Sequence, residues 1–223
     1  MLQRARLADP LGGVWEAADV QWWWGKPQRS DEIEQIFWLD DDGPVAGVLL
    51  TSSADDSGHA SAGFDGPISD DDVIFVELAR RSGLTPQFRD NNGWMEACDR
   101  PAISTPADGF VLLDHTQRLE QCSLYDPALD LVVESTEGRV AGYSLYWFDP
   151  MTRVGLVEPV RVEDEFQRRD LASVMLSAGI DRLVARGAGR VKISYGSEAA
   201  VGTYQRIGFG ATSTATWCRH SAD

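Results

Sequence analysis

The chain has 223 residues, of which 43% are hydrophobic and 25% charged, so it can bury the core of one large domain or two small ones. Its 20 basic and 35 acidic side chains give a net charge of −15, which disfavours a nucleic-acid partner. No apolar run approaches the roughly 18 residues of a membrane span, and no secretory leader is recognisable. Three widely spaced cysteines and three scattered histidines predict a reducing, cytoplasmic location and no metal site.

The first half begins with two apolar runs, IFWLD (36–40) and DGPVAGVLLTS (42–52), joined by a short polar turn. This pattern predicts a β-hairpin. The segment ELARRSGL (77–84) is typical of the last turns of a helix that Gly83 closes before a new strand begins.

A second hairpin is predicted after a proline-rich stretch. Residues 99–107 contain two prolines and neither a helical nor a strand period, so we interpret them as a linker between domains 1–98 and 108–223. Beyond it, LDLVVE (129–134) and EGRVAGYSLYW (137–147) repeat the hairpin pattern of the first half.

The shared order of hairpin and glycine-closed helix favours an internal repeat. The hairpin valines Val45 and Val140 are 95 residues apart, whereas the helix-closing glycines Gly83 and Gly208 are 125 apart. The first half therefore lacks about 30 residues between its hairpin and its helix, relative to the second.

The extra segment of the second half is predicted to contain a strand, a helix and a further strand. RVGLVEPVRVE (153–163) is the strand, and Pro159 within it predicts an edge, a bulge or a local loss of pairing. A helix follows from Leu171 until Gly187, then a strand at 190–195 and a helix at 197–207. This order indicates an α/β or α+β fold.

The turn at residues 167–172 resembles an anion site. A helix N-terminus presents unpaired N–H groups and a partial positive charge, which suit a phosphate. Arg168 and Arg169 add full charges, and the small Ala172 leaves room for a ligand. The alternative is an ordinary solvated helix start.

These motifs resemble the GNAT superfamily of acetyl-CoA-dependent N-acetyltransferases over about residues 108–220. Its pyrophosphate loop, Q/R-x-x-G-x-G/A, follows a strand hydrophobe. That pattern matches Val162 and then Gln167, Arg168, Arg169, Asp170, Leu171 and Ala172. The superfamily's next motif matches Ser197, Ala200, Tyr204, Gly208 and Phe209. The chain departs from the family at Asp170, where the loop has its central glycine, and at Ser197, where the motif has asparagine.

The resemblance implies an α+β fold with a central, mostly antiparallel, twisted sheet flanked by helices. It also implies two tandem GNAT-like units, the first truncated where the cofactor would bind. By resemblance, the residues that hold acetyl-CoA are Val160, Arg161, Val162, Gln167, Arg168, Arg169, Asp170, Leu171, Ala172, Ser197 and Tyr204.

Acetyl transfer needs an oxyanion donor, a base for the amine and an acid near the leaving thiolate. The backbone N–H groups of Val160 to Val162 suit the oxyanion. By resemblance Tyr204 is the acid; alternatively, it is a core tyrosine. Glu158, four residues before Val162 on the same predicted strand face, is either the base or half of a cross-strand ion pair.

We therefore expect direct transfer of acetyl from acetyl-CoA to a primary amine of a small molecule or peptide. One alternative is a non-catalytic module that binds CoA or another protein; another is an enzyme for a longer acyl-CoA. Residues 1–107 carry 8 basic and 19 acidic side chains, a net of −11, against 12 and 16, a net of −4, in residues 108–223. The acidic first half predicts a cationic acceptor, or simply a well-solvated surface.

Overall fold

The computed structural model describes residues 1–24, 36–48, 53–54, 60–61, 65–69, 73–81, 83–114 and 122–220. The chain divides into two compact units, one formed by Met1–Asn91 with Ser213–Asp223 and the other by Asn92–Thr212.

The first unit contains the predicted hairpin and the predicted helix. Its elements are α1 (Leu2–Ala8), α2 (Ala17–Trp24), β1 (Ile36–Asp40), β2 (Gly43–Val48), β3 (Ser53–Ala54), β4 (Ala60–Ser61), β5 (Asp65–Ser69), α3 (Val73–Arg81) and the start of β6 (Leu84–Glu96). Strands β1 and β2 pair antiparallel, which confirms the hairpin; residues 49–52 of the predicted second strand lie outside the described residues. Gly83 adopts φ +73° between α3 and β6, as a helix-closing glycine should.

The second unit is the larger sheet with two helices. Its elements are the end of β6, then β7 (Phe110–Asp114), β8 (Asp130–Ser135), β9 (Val140–Asp149), β10 (Val154–Val162), α4 (Leu171–Ala185), β11 (Arg190–Tyr195), α5 (Glu198–Ile207) and the start of β12 (Gly210–His220). The strand order in this unit is β6–β11–β10–β9–β8–β7. Pairing is antiparallel from β7 to β10 and parallel between β10 and β11, so the predicted α+β class is confirmed.

The second hairpin forms the middle of this sheet. The turn between β8 and β9 uses Gly138 at φ +77°, and both strands carry continuous runs of buried residues, as strands covered on both faces do. Leu131 and Val133 of β8 are fully buried because β7 and β9 flank that strand and α4 packs over the sheet.

Helix α4 packs closely on β9. A Cβ atom at Gly179 would lie 2.1 Å from the ring of Tyr146, so only glycine permits this approach. The Tyr146 hydroxyl donates a hydrogen bond of 2.7 Å to the carbonyl of Met175, which satisfies the polar end of a fully buried side chain.

The stretch interpreted as a linker lies against α4, within the second unit. Arg100 pairs with Asp181 at 3.0 Å, and the backbone N–H of Ser104 donates to the hydroxyl of Ser177 at 2.8 Å. Residues 101–107 have no regular structure, as their prolines predict. No described helix is long and apolar enough to cross a membrane.

Candidate active site

The central sheet of the second unit opens at one point. Strand β10 pairs with β11 only from Val154 to Val157, although it continues beside β9 as far as Val162. From Glu158 onward, the edge of β10 that faces β11 therefore has no strand from the described residues beside it. This is the irregular strand that Pro159 predicts.

A bulge accompanies the opening. The register with β9 shifts between Val157 and Val160, which pairs with Ser144. Further along, the N–H of Glu163 donates to the carbonyl of Ala141 at 3.0 Å. Because alternate residues of an antiparallel strand direct their N–H groups to opposite sides, those of Val160 and Val162 point away from β9 and into the opening.

The bulge also changes which side chains share a face. Val157, Val160 and Val162 lie together toward the core because one extra residue intervenes between the first two. The sequence analysis placed Glu158 on the face of Val162 by simple alternation. The bulge interrupts that alternation between the two residues. The indole nitrogen of Trp147 donates to the carbonyl of Glu158 at 2.9 Å and holds the bulged backbone.

The start of α4 provides further donors next to this opening. The first helical hydrogen bond runs from the N–H of Val174 to the carbonyl of Asp170 at 3.1 Å. The N–H groups of Leu171, Ala172 and Ser173 precede it and have no acceptor within the helix. The side chain of Leu171 is buried in the core, so only its backbone can serve a ligand.

Gln167 links the loop to the opened strand. Its amide nitrogen lies 3.0 Å from a carboxylate oxygen of Asp164 and 3.5 Å from the carbonyl of Val162. The loop backbone is left-handed at Arg168, with φ +61°, and at Asp170, with φ +58°. The carboxylate of Asp170 makes no capping hydrogen bond to α4, and the residue is exposed. The left-handed conformation explains why the family motif has glycine at this position.

Three acidic residues precede the loop, and two of them are paired with arginines. Glu163 pairs with Arg161 at 3.0 Å, Asp164 accepts from Gln167, and Glu165 pairs with Arg139 at 2.6 Å. The guanidinium of Arg161 holds the pKa of Glu163 below its usual range. The two ion pairs reduce the repulsion that this segment exerts on an anion at the start of α4, whereas the carboxylate of Asp164 keeps its charge.

Tyr204 of α5 packs on Tyr195, the last residue of β11, and lies near enough to Glu158 to feel its charge. Its ring packs on Tyr195 at 5.1 Å and on Phe209 at 6.2 Å between centroids. Burial, with smaller contributions from the negative charge of Glu158 and from Tyr195, raises the pKa of Tyr204 to about 12. Tyr204 is thus a packed aromatic residue, and its phenol is also close enough to the Glu158 carboxylate for that charge to raise its pKa.

Ser197 has a local structural role. It is the N-cap of α5, and its hydroxyl accepts from the N–H of Ala200 at 3.2 Å. Replacing a serine cap by alanine typically costs about 1 kcal/mol of stability. The serine thus retains a hydrogen-bonding side chain where the family motif has asparagine.

Several supporting residues of the site were not predicted. Trp147 donates a hydrogen bond across strands to the backbone carbonyl of Glu158. The rings of Phe110 and Phe166 contact the guanidinium of the loop residue Arg169. The contact of Trp147 with Glu158 joins residues 11 positions apart, and that of Arg169 with Phe110 joins residues 59 positions apart, which no local motif links. Among the described residues, no group of three His, Cys, Asp or Glu side chains could hold a metal ion.

The model of the family described as Acetyltransferase (GNAT) family matches residues 95–209, more than half of the chain. The chain therefore belongs to the GNAT family of acetyltransferases. A mycothiol acetyltransferase of Clavibacter michiganensis is 28% identical over 122 residues, 54% of this chain and 39% of that protein. The chain thus spans well under half the length of that relative's sequence.

Solved structures share the fold at low identity. A GCN5-related N-acetyltransferase of Sphaerobacter thermophilus superposes with a TM-score of 0.59 at 17% identity, covering 71% of this chain and 59% of that one. A tandem GNAT protein from the clavulanic acid biosynthesis pathway gives 0.59 at 10%, covering 72% and 65%. A GCN5-related N-acetyltransferase of Kribbella flavida gives 0.53 at 14%, covering 72% and 69%.

Proposed function

We propose that this protein transfers an acetyl group from acetyl-CoA directly to a primary amine, with no covalent enzyme intermediate. The observation that carries the proposal is the opening between β10 and β11 beside the start of α4, in a chain of the GNAT family. Acetyl-CoA supplies the acetyl group as an activated thioester. The acceptor is a small molecule or a peptide.

The hydrogen-bond donors at the start of α4 suit the diphosphate of acetyl-CoA. The N–H groups at the start of α4 carry no intrahelical acceptor, and Ala172 adds little bulk there. The exposed Arg168 adds a full positive charge. The carboxylate of Asp170 opposes this charge, so we expect weaker cofactor binding than a glycine at this position would give.

The chain offers a group for each requirement of the reaction. In this proposal the N–H of Val160 donates to the oxygen that becomes negative when nitrogen attacks the thioester carbon. Glu158 accepts the amine proton, directly or through water. As the carbon–nitrogen bond forms, the carbon–sulfur bond breaks, and Tyr204 faces the sulfur that leaves with the electron pair.

Tyr204 is better suited to hydrogen bonding than to complete proton transfer. A thiol has a pKa near 8.5, so moving a proton from a phenol with a pKa of about 12 to a thiolate is unfavourable by about 3.5 pKa units. The phenol remains protonated at neutral pH and can donate a hydrogen bond to the departing sulfur. The thiolate then takes its proton from solvent.

We also propose that residues 1–98 are a truncated repeat of the GNAT unit in 108–223. Between β9 and α5 the chain forms β10, α4 and β11, whereas the described residues between β2 and α3 form only β3, β4 and β5. The likeness to a tandem GNAT structure supports this interpretation. The first half would then lack a cofactor site.

The experiment is to measure release of free thiol from acetyl-CoA with a panel of primary amines. We expect release that depends on an amine and product mass that identifies the acetylated acceptor. Binding of acetyl-CoA without thiol release for any amine would favour the alternative, a non-catalytic CoA-binding module. Faster release from a longer acyl-CoA would identify a different acyl donor.

A further inference from the structure

The two neighbouring arginines of the loop have different surroundings. The guanidinium carbon of Arg169 lies 5.6 Å from the ring centroid of Phe110 and 5.7 Å from that of Phe166. Arg168 makes no hydrogen bond, ion pair or ring contact with the part of the chain that the structure describes. Both are exposed, so accessibility alone does not distinguish them.

The rings under Arg169 form a fixed platform. Phe110 begins the edge strand β7, and Phe166 lies in the turn before the loop and is 7% exposed. Their rings meet edge to face with centroids 5.8 Å apart. Arg139 also lies over Phe166, at 4.8 Å, and pairs with Glu165. Arg169 therefore connects the loop to a packed corner of the sheet.

The loop needs such support because its backbone is unfavourable. Arg168 and Asp170 are both left-handed, a conformation that costs non-glycine residues energy and persists only where surrounding contacts maintain it. Arg169 lies between them. A contact that holds Arg169 to the sheet maintains the conformation of both its neighbours.

We propose that Arg168 contacts the phosphate groups of acetyl-CoA, whereas Arg169 is a positioning residue that holds the loop on Phe110 and Phe166. The inference rests on the function proposed above, because it assigns the two charges of that cofactor loop. A guanidinium in cation–π contact with aromatic rings is oriented by them, and an unpartnered one is available to an anion.

The affinity test compares Arg168→Gln with Arg169→Gln by calorimetric titration of acetyl-CoA over a salt series. Loss of a charge-assisted hydrogen bond predicts that Arg168→Gln raises Kd about ten- to a hundredfold. It should also flatten the salt dependence of Kd. We expect Arg169→Gln to raise Kd by only about threefold and to keep the wild-type salt dependence, since no phosphate contact is lost.

The positioning test uses the free protein. Hydrogen exchange of residues 164–172 should be faster in Arg169→Gln than in wild type, and unchanged in Arg168→Gln. Phe110→Leu keeps an apolar side chain but weakens the platform. Its effect on loop exchange and on Kd should be non-additive with Arg169→Gln and additive with Arg168→Gln.

Equal effects of the two arginine variants on Kd and on its salt dependence would overturn the division of roles. Additivity between Phe110→Leu and Arg169→Gln would overturn the positioning role. Wild-type protein that does not bind acetyl-CoA would refute the proposed function and the role of Arg168 with it. The exchange measurement on the free protein would still decide the role of Arg169.

Discussion

The hairpins β1–β2 and β8–β9 share a local sequence pattern but differ in their surroundings. In the described residues β1 and β2 form a two-stranded sheet, and Phe37, Trp38 and Leu39 are exposed to 45%, 54% and 70%. Strands β8 and β9 lie between β7 and β10 and under α4, and Leu131 is fully buried. The local sequence pattern determines that a hairpin forms, whereas the neighbouring strands and helix determine whether its side chains are buried in a core.

The comparison extends to function. The second hairpin is followed by the opened strand β10 and by α4, whose free N–H groups suit a phosphate. The described part of the first unit has no counterpart of α4 after its hairpin. If the two halves are repeats, only one of them retains the elements that a cofactor needs.

The largest expected effect is loss of acetyl-CoA binding in Ala172→Glu. The substitution adds bulk and a negative charge at the helix start, where the diphosphate is expected to bind. Calorimetric titration should detect no binding, while Ala185→Glu at the other end of α4 should bind as wild type does. An unchanged affinity in Ala172→Glu would place the cofactor elsewhere.

The second prediction tests the two hairpins as structures. Leu131→Ala should lower the free energy of unfolding by about 2–5 kcal/mol, because it leaves a cavity in a packed core. Leu39→Ala, at an exposed position of the first hairpin, should change it by less than about 0.5 kcal/mol. Chemical denaturation measures both. Similar losses for the two variants would contradict the difference in burial between the hairpins.

The third prediction concerns turnover. Tyr204→Phe should lower kcat about ten- to a hundredfold, the value of one hydrogen bond to a charged group, and leave the Kd of acetyl-CoA nearly unchanged. The ring packing on Tyr195 and Phe209 is retained. Steady-state kinetics measures kcat, and calorimetry measures Kd. A wild-type kcat in the variant would show that Tyr204 has only a packing role.

The raised pKa of Tyr204 also predicts a pH effect on stability. Folding raises this pKa from 10.0 to about 12, so the folded state holds the phenolic proton more tightly than the unfolded state does. The associated stability is complete below pH 10 and is lost as the pH rises toward 12. Chemical denaturation across this pH range should show a smaller loss of the free energy of unfolding for Tyr204→Phe than for wild type. Parallel plots of that free energy against pH would contradict the raised pKa.

A smaller effect is expected at the loop. Asp170→Gly removes left-handed strain of about 1 kcal/mol but also a carboxylate that the helix dipole stabilises by about 0.3–1 kcal/mol, so stability should change little. The Kd of acetyl-CoA should fall about three- to tenfold because repulsion disappears. Asp170→Asn, which tolerates the same backbone, isolates the charge. No gain in affinity from either variant would show that the carboxylate does not face the cofactor.

The smallest predicted effect follows from the charge of the first half. Its net charge of −11 should attract cationic amines, and salt screens such attraction over a Debye length of about 10 Å at 0.1 M. For a cationic acceptor, kcat/KM should therefore fall about two- to threefold as salt is added. A flat salt profile, or preference for an anionic acceptor, would show that the acidic residues serve solvation.

Local sequence patterns predicted the parts of the fold that depend on neighbouring residues. Both hairpins, the glycine-closed helices and the irregular strand around Pro159 agree with the structure because turn and proline chemistry act over a few positions. The bulge between Val157 and Val160 interrupts the strand alternation on which the predicted face of Glu158 depended. The platform under Arg169 could not be predicted, since β7 and the loop meet only after the sheet forms.

The stoichiometry of acetyl-CoA binding tests the central claim most directly. Calorimetric titration of the full chain should give one site per chain, at the loop of residues 167–172 in the second unit, and Ala172→Glu should abolish it. Two sites per chain would show that the first half also retains a cofactor site. A single site that survives Ala172→Glu would contradict the assignment to the start of α4.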